Sequence, residues 1–480
     1  MRKLLAIVLF AVSAVVLKAD VYEFFASGDF NHKAEYGNGC NAFSSGGGAV
    51  YSWNQQEGFM HFALKEGAAA ALVLTRMHNT AKEFNGLTFT VRVKLRGTGR
   101  VGFSFSEKKS ERTVNLTKEW KKHTFTLTSV PDTRMLMKIR YSKGTEFDMD
   151  DLSVSVANNG IRIYPPVGAL VVKANSTVPE QVFRTMPNDL IGKFTRCEFV
   201  NDKLTGTTVT PAESNGGKAA FPSFTAGQAG SRTRIIFASI SEGAVRDVIA
   251  APDATVDALE NAAKQVKLNG KPMRILYLGD SLTDFDRGYN HANITAGLLD
   301  KFNPGQISMR NVAIGGDQVR RMDMRLSDYN VYYGCRYHGL WEEKYDIIFI
   351  ALGQNDTVAF KETNFSKPQI PIMEVDKRMR SIISKIRKNS DARIVLVSGV
   401  CTPVNTLSAY HFGVPELVNA YNAAIKKIAD ELELGYIDLY TPLQAVPEAE
   451  RVKLFRPDRV HLSPAGHLFV AEEYLKYLAK

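Results

Sequence analysis

Ile275-Leu-Tyr-Leu-Gly279-Asp280-Ser281-Leu282-Thr283-Asp284 is an apolar run that stops at Gly-Asp-Ser and turns polar. Such a run reads as a strand buried on both faces of a parallel sheet. A serine at its carboxyl end is delivered to the rim of the sheet, where its side chain is accessible and its backbone is held rigid. Gly-Asp-Ser-Leu acquires meaning only from its partners later in the chain.

Downstream of this run the chain alternates. From residue 273 the pattern predicts strands at Arg274–Leu278, Ser308–Ile314, Tyr345–Leu352, Arg393–Val400 and Gly435–Leu439. Between and after them it predicts helices near Asn293–Phe302, Val319–Leu326, Met373–Lys388, Pro415–Leu432 and Ala465–Leu478. The fourth helix has proline in its first turn and one apolar stripe of Leu417, Tyr421, Ala424, Ile425, Ile428 and Leu432. Apolar strands alternating with amphipathic helices imply an α/β fold, a parallel sheet covered on both faces, with its site at the carboxyl ends of the strands.

Upstream the character differs. Residues 20–157 read as all-β, for example Leu87-Thr-Phe-Thr-Val-Arg-Val-Lys-Leu95, whose alternate residues are apolar. Several such strands in one segment suggest a sandwich or jelly roll. Glu119-Trp120-Lys-Lys-His-Thr-Phe and Phe147-Asp-Met-Asp-Asp-Leu-Ser-Val resemble segments of carbohydrate-binding jelly-roll modules, which implies possible glycan binding. Trp120 is expected in the core, and Trp53 is open between core and ligand surface. Residues 158–250 read as a second small β unit or connector. In it, Ala169–Lys173, Gly192–Val200 and Thr233–Ile240 are candidate strands, and Gly206–Gly230 is expected to be loops. Residues 251–272 read as a helical linker, with Val256, Leu259, Ala263 and Val266 at helical spacing.

The 480 residues call for two or three domains. The net charge of +10 is moderate for this length and reads as a solvated surface, and no zinc-finger or RNA-binding signature points to nucleic acid. Residues 1–19 have the form of a signal peptide, with Arg2-Lys3 followed by the apolar Leu4–Leu17 and cleavage expected after Ala19, or alternatively after Ala14. The expectation is a secreted or periplasmic protein with no membrane span after cleavage. The four cysteines (Cys40, Cys197, Cys335 and Cys401) are far apart and show no metal-ligand spacing, so disulfides and buried thiols both stay open.

Four polar blocks punctuate the α/β region: Gly279-Asp280-Ser281, Gly315-Gly316-Asp317, Gly353-Gln354-Asn355-Asp356 and Asp458-Arg-Val-His461. Together they supply the parts of an acyl-transfer site. Ser281 needs a base to become a nucleophile, and His461 qualifies. Asp458, three residues earlier, can turn back to the other ring nitrogen. A developing oxyanion needs donors, for which the Ser281 and Gly316 backbone N–H groups and the Asn355 amide are candidates. Glycine at 316 is read as permitting close backbone approach. Asp284 is a candidate for the substrate cleft, as is Asp286. Of the other histidines, His291, His338 and His411 are placed in connections near the cleft and His467 in the last helix.

These blocks, in this order over residues 273–480, resemble the SGNH or GDSL hydrolase superfamily. The resemblance implies a flavodoxin-like sheet and esterase chemistry without a metal or other cofactor. It also implies Ser281, Asp458 and His461 as the triad, with Ser281, Gly316 and Asn355 forming the oxyanion hole. Arg459-Val460 stands where Gly-Val is common in the family. The absence of Gly-x-Ser-x-Gly argues against the α/β-hydrolase elbow. The expected function is a secreted carbohydrate O-acetylesterase acting on acylated carbohydrate or another small ester. A lipid esterase or lysophospholipase and a non-catalytic glycan-binding protein are the alternatives.

Overall fold

The structure, a computed structural model, describes residues 21–23, 43–46, 48–54, 56–76, 88–105, 111–128, 136–157, 161–201, 203–239, 242–284, 290–327, 337, 339–360, 367–368, 370–403, 410–411 and 415–480. The expected signal peptide, Cys40, Asp286, Cys335 and His338 lie outside them, as does the side chain of His411.

The amino-terminal region is built from two antiparallel sheets. One has the order Ala49–Asn54, Phe59–Leu64, Glu146–Ala157, Thr88–Thr98 and Lys121–Thr128, with Val21–Glu23 also paired to the long Glu146–Ala157 strand. The other runs Phe43–Gly46, Ala70–Arg76, Leu136–Ser142, Arg100–Ser104 and Arg112–Asn115. Alternation determines which side chains lie between them. Phe89, Val91, Val93 and Leu95 are buried in one core with Val73, Phe103, Ile139 and Tyr141 of the facing sheet. Of the tryptophans, Trp53, left open by the sequence, falls to the core side, and Trp120, expected in the core, does not join it. Trp53 packs against this core. Trp120 is half-buried at the edge, 5.7 Å from Phe59 ring to ring and 4.6 Å from the Arg96 guanidinium.

The middle of the chain is more regular than its composition suggests. Ala169–Lys173, Gly243–Ala251, Ser231–Ala238, Ile191–Val200 and Lys203–Glu213 form one sheet in that spatial order. The Lys203–Glu213 strand occupies part of the segment expected to be loops. Gly206 and Pro211 disguise it. Its Thr205, Thr207, Thr208, Val209 and Thr210 are β-branched and suit a strand, and an edge strand with one neighbour tolerates proline. The helix Asp253–Gln265 buries Val256, Leu259 and Ala263 in the same core as the carboxy-terminal helix Pro464–Leu478.

The carboxy-terminal sheet positions the site. Its parallel strands lie in the order Ile307–Asn311, Met273–Gly279, Ile347–Ala351, Arg393–Val397 and Gly435–Ile437, which is 2-1-3-4-5 in chain order. This is the flavodoxin-like arrangement. Ile275, Tyr277, Phe349, Val395 and Val397 pack with the helices Asp253–Gln265, His291–Phe302 and Pro464–Leu478. Leu276, Leu278, Ile348, Ile350 and Leu396 pack on the other face with Val319–Arg325, Ile372–Asn389 and Pro415–Glu431. Each fully buried aliphatic side chain contributes roughly 1.5–3 kcal/mol, so burial on two faces outweighs local propensity in holding the sheet. Strands 1 and 3 are neighbours at the switch in strand order. The loops after them carry Ser281 and Asn355. Among the described residues no helix is long and apolar enough to cross a membrane. Cys197 and Cys401 are buried free thiols.

Candidate active site

The first strand ends in a tight turn. A Cβ at Gly279 would stand 2.9 Å from the Thr283 side chain and 3.1 Å from the Ala351 carbonyl oxygen, so glycine permits the chain to fold back here. Asp280 secures the turn. Its backbone oxygen accepts the N–H groups of Thr283 (3.1 Å) and Asp284 (2.9 Å), and its Oδ1 accepts that of Leu282 at 2.9 Å. The Thr283 carbonyl in turn accepts the side-chain amides of Asn290 and Asn311, the latter at 2.7 Å. These bonds fix Ser281 from both sides.

His461 reaches this serine from a loop 180 residues later in the chain. Its Nε2 is 3.1 Å from Ser281 Oγ, and its Nδ1 is 2.7 Å from Asp458 Oδ2. The other Asp458 oxygen accepts the backbone N–H groups of Val460 and His461, both at 2.9 Å. Burial alone would raise the Asp458 pKa. The bonds from the His461 ring and the two backbone N–H groups outweigh it and hold the carboxyl well below the usual range. Asp458 is therefore an ionised acceptor at neutral pH, and Nδ1 of His461 is the protonated nitrogen. Nε2 then faces the hydroxyl as an acceptor. This is the connectivity that activation of a serine requires.

The structure adds physical detail to three of the sequence expectations. Gly316 has φ of +79°, so its backbone conformation by itself calls for glycine, and a Cβ there would meet no protein atom within 4 Å. Asn355 does present its amide on the strand-3 loop, but Nδ2 already donates to Asp280 Oδ2 and to the Asp317 carbonyl, each at 3.0 Å. Asp284 is buried, and its Oδ2 accepts the Gly315 N–H at 2.8 Å. It braces the turn that presents Gly316.

Several contributors carried no sequence signal of their own. Asp280 orients the Asn355 amide as well as shaping the nucleophile turn. Arg321 Nη1 donates to the Gly316 carbonyl at 2.9 Å, and Gln318 Nε2 donates to the Asn355 carbonyl at 3.2 Å. Asp317, next to Gly316, forms a fully buried ion pair with Arg325. His291 opens its helix and is buried, its ring stacked 5.8 Å from that of His467 and 4.9 Å from Tyr474. Burial lowers its pKa to about 3, although its contact with the Leu282 backbone acts in the opposite direction. It is a neutral core residue beneath the helix start. Among the described residues no cluster of three or more His, Cys, Asp or Glu is arranged to hold a metal ion.

Known proteins share this region. Residues 277–468 match the model of the GDSL-like Lipase/Acylhydrolase family. An acetylxylan esterase from Geobacillus stearothermophilus is 24% identical over 229 residues, covering 43% of this chain and 94% of that protein. A crystal structure of an acetylxylan esterase from the same organism superimposes with a TM-score of 0.34 at 22% identity, covering 44% of this chain and 95% of the other. A lipase/acylhydrolase from Enterococcus faecalis gives a TM-score of 0.33 at 14% identity, covering 43% and 95% of the two chains. Through residues 277–468 the chain carries a domain of the GDSL-like lipase/acylhydrolase family.

Proposed function

We propose that the protein is an exported serine esterase that removes O-acyl groups, acetyl above all, from carbohydrate. The observation that carries the catalytic part is the His461 ring bridging Ser281 Oγ and Asp458. Ser281 Oγ attacks the ester carbonyl carbon as its proton passes to His461 Nε2. Asp458 stabilises the resulting imidazolium. The oxyanion of the tetrahedral intermediate is met by the backbone N–H groups of Ser281 and Gly316 and by the Asn355 amide, which releases one of its two acceptors, Asp280 Oδ2 or the Asp317 carbonyl, to turn an N–H towards it. His461 returns the proton to the leaving sugar oxygen, and the acyl group stays on Ser281. Water, deprotonated by the same nitrogen, then releases the carboxylic acid and restores the serine.

The carbohydrate part rests on the similarity to the acetylxylan esterase, and export on the form of residues 1–19. Glycan binding by residues 20–157 belongs to the same proposal, and the half-buried Trp120 beside Arg96 is its candidate contact. The test is product release. Acetate should be released from acetylated xylan in a Ser281-dependent manner, with little fatty acid released from phospholipid. Preferential fatty-acid release would assign the site to lipid esters instead.

The Asn355→Ala variant separates the oxyanion role from simple packing. Loss of one donor is expected to lower kcat by on the order of 10²–10³, with KM for p-nitrophenyl acetate changed much less. An unchanged kcat would mean that the amide serves only Asp280 and the Asp317 carbonyl.

A further inference from the structure

Asp356 follows Asn355 and is completely buried. Its Oδ1 accepts the N–H of Val319 at 3.3 Å, at the start of the helix after the Gly316 turn. Two more bonds join the same pair of loops: Asn355 Nδ2 to the Asp317 carbonyl at 3.0 Å, and Gln318 Nε2 to the Asn355 carbonyl at 3.2 Å. The backbone oxygen of Asp356 also accepts the Ile370 N–H at 3.4 Å, and the Ile370 carbonyl accepts the Tyr421 hydroxyl. Asp356 therefore joins the strand-3 loop, the Gly316 arm and the approach to the Ile372–Asn389 helix.

The electrostatics around it are one-sided. Asp280 faces it from the nucleophile strand, Asp317 from the Gly316 turn, and the Tyr421 phenol from the Pro415–Glu431 helix. Arg325, the buried cation of this neighbourhood, is paired with Asp317. Among the described residues Asp356 has no ion-pair partner, and its Oδ2 has no hydrogen-bond partner. A third carboxylate here would be desolvated and repelled by two others, both of which favour its neutral form.

We propose, on the reading that this site hydrolyses esters, that Asp356 is a positioning residue. As a neutral acid it clamps the Asn355 loop to the Gly316 turn and so fixes the separation of two oxyanion donors. In keeping with this, burial pushes its pKa up to about 8, opposed by the Val319 N–H and reinforced by Asp317 and Asp280. The unfolded chain releases this proton near the ordinary value of 3.8, and the folded chain keeps it. Between these two values the folded state binds the extra proton. This residue's contribution to stability therefore declines as pH rises towards about 8 and is level above it.

Two substitutions test the clamp. Asp356→Ala should lower kcat for p-nitrophenyl acetate at least about tenfold with little change in KM, because donors that have moved apart act mainly on the transition state. Asp356→Asn, an uncharged isostere that can still accept from Val319, should restore most of that loss and carry activity further into the alkaline range. Independently of turnover, thermal midpoints of the wild type and Asp356→Asn should diverge from pH 5 to 8, the variant gaining, and then run parallel. Parallel midpoints across that range, or equal kcat losses in the two variants, would overturn the proposal. If wild-type turnover does not need Ser281, the esterase reading fails, and the thermal comparison still decides whether Asp356 is neutral.

Discussion

His461→Ala is expected to lower kcat for p-nitrophenyl acetate by on the order of 10⁶, with KM nearly unchanged. The reason lies in how the three groups are joined. Removing the imidazole leaves Ser281 without the base that takes its proton, and it takes from Asp458 the ring that this carboxylate orients. Ser281→Ala should fall to the same level, and the double variant no further, because the groups act as one unit. The residual rate should stay about 10³–10⁴ above water, supplied by the oxyanion donors and by binding. Asp458→Asn should cost less, about 10⁴, through the wrong tautomer of His461. Circular dichroism would show the fold intact, since neither His461 nor Asp458 belongs to the core. A His461→Ala enzyme within tenfold of wild type would place the base elsewhere.

What could be read from the sequence divides along physical lines. The parallel sheet was legible because burial on both faces leaves continuous apolar runs such as Ile275–Leu278 and Ile347–Ile350, and strands of this kind recur between amphipathic helices. The relation of Ser281 to His461 was legible from residue types whose chemistry demands partners. Second partners were not legible. Asn355 could be identified as a donor, but not that Asp280 and the Asp317 carbonyl already occupy its amide, since that depends on the distance between two strand ends. Asp284 looked like a cleft residue because a carboxylate after a nucleophile has no local partner. Its partner is a backbone N–H 31 residues away. The Lys203–Glu213 strand was hidden because Gly206 and Pro211 outweigh threonines in a local reading, whereas its pairing with Ile191–Val200 is a tertiary fact. Trp120 failed for a similar reason. A strand start places a ring at a sheet edge, and whether it turns inward depends on neighbours such as Arg96 and Phe59.

The largest effect on stability is expected from Arg325→Met. The Arg325 and Asp317 side chains are fully buried and joined to each other, and the guanidinium lies 5.0 Å from the centroid of the Tyr337 ring. Neither residue looks unusual in sequence, where Arg325 is one of several arginines in a short helix. Methionine keeps much of the packing volume and removes the charge. Asp317 would then be a buried carboxylate beside Asp280 and Asp356, and breaking a buried pair from one side costs about 3–5 kcal/mol. Chemical denaturation should show that loss. The double variant Arg325→Met/Asp317→Asn should recover most of it, because an amide needs no counter-ion. Activity should follow the same pattern, since the Asp317 carbonyl holds the Asn355 amide and Gly316 is the preceding residue. If the double variant is no more stable than the single one, the pair acts through the shape of the arginine, and the charge of Asp317 is compensated by other groups.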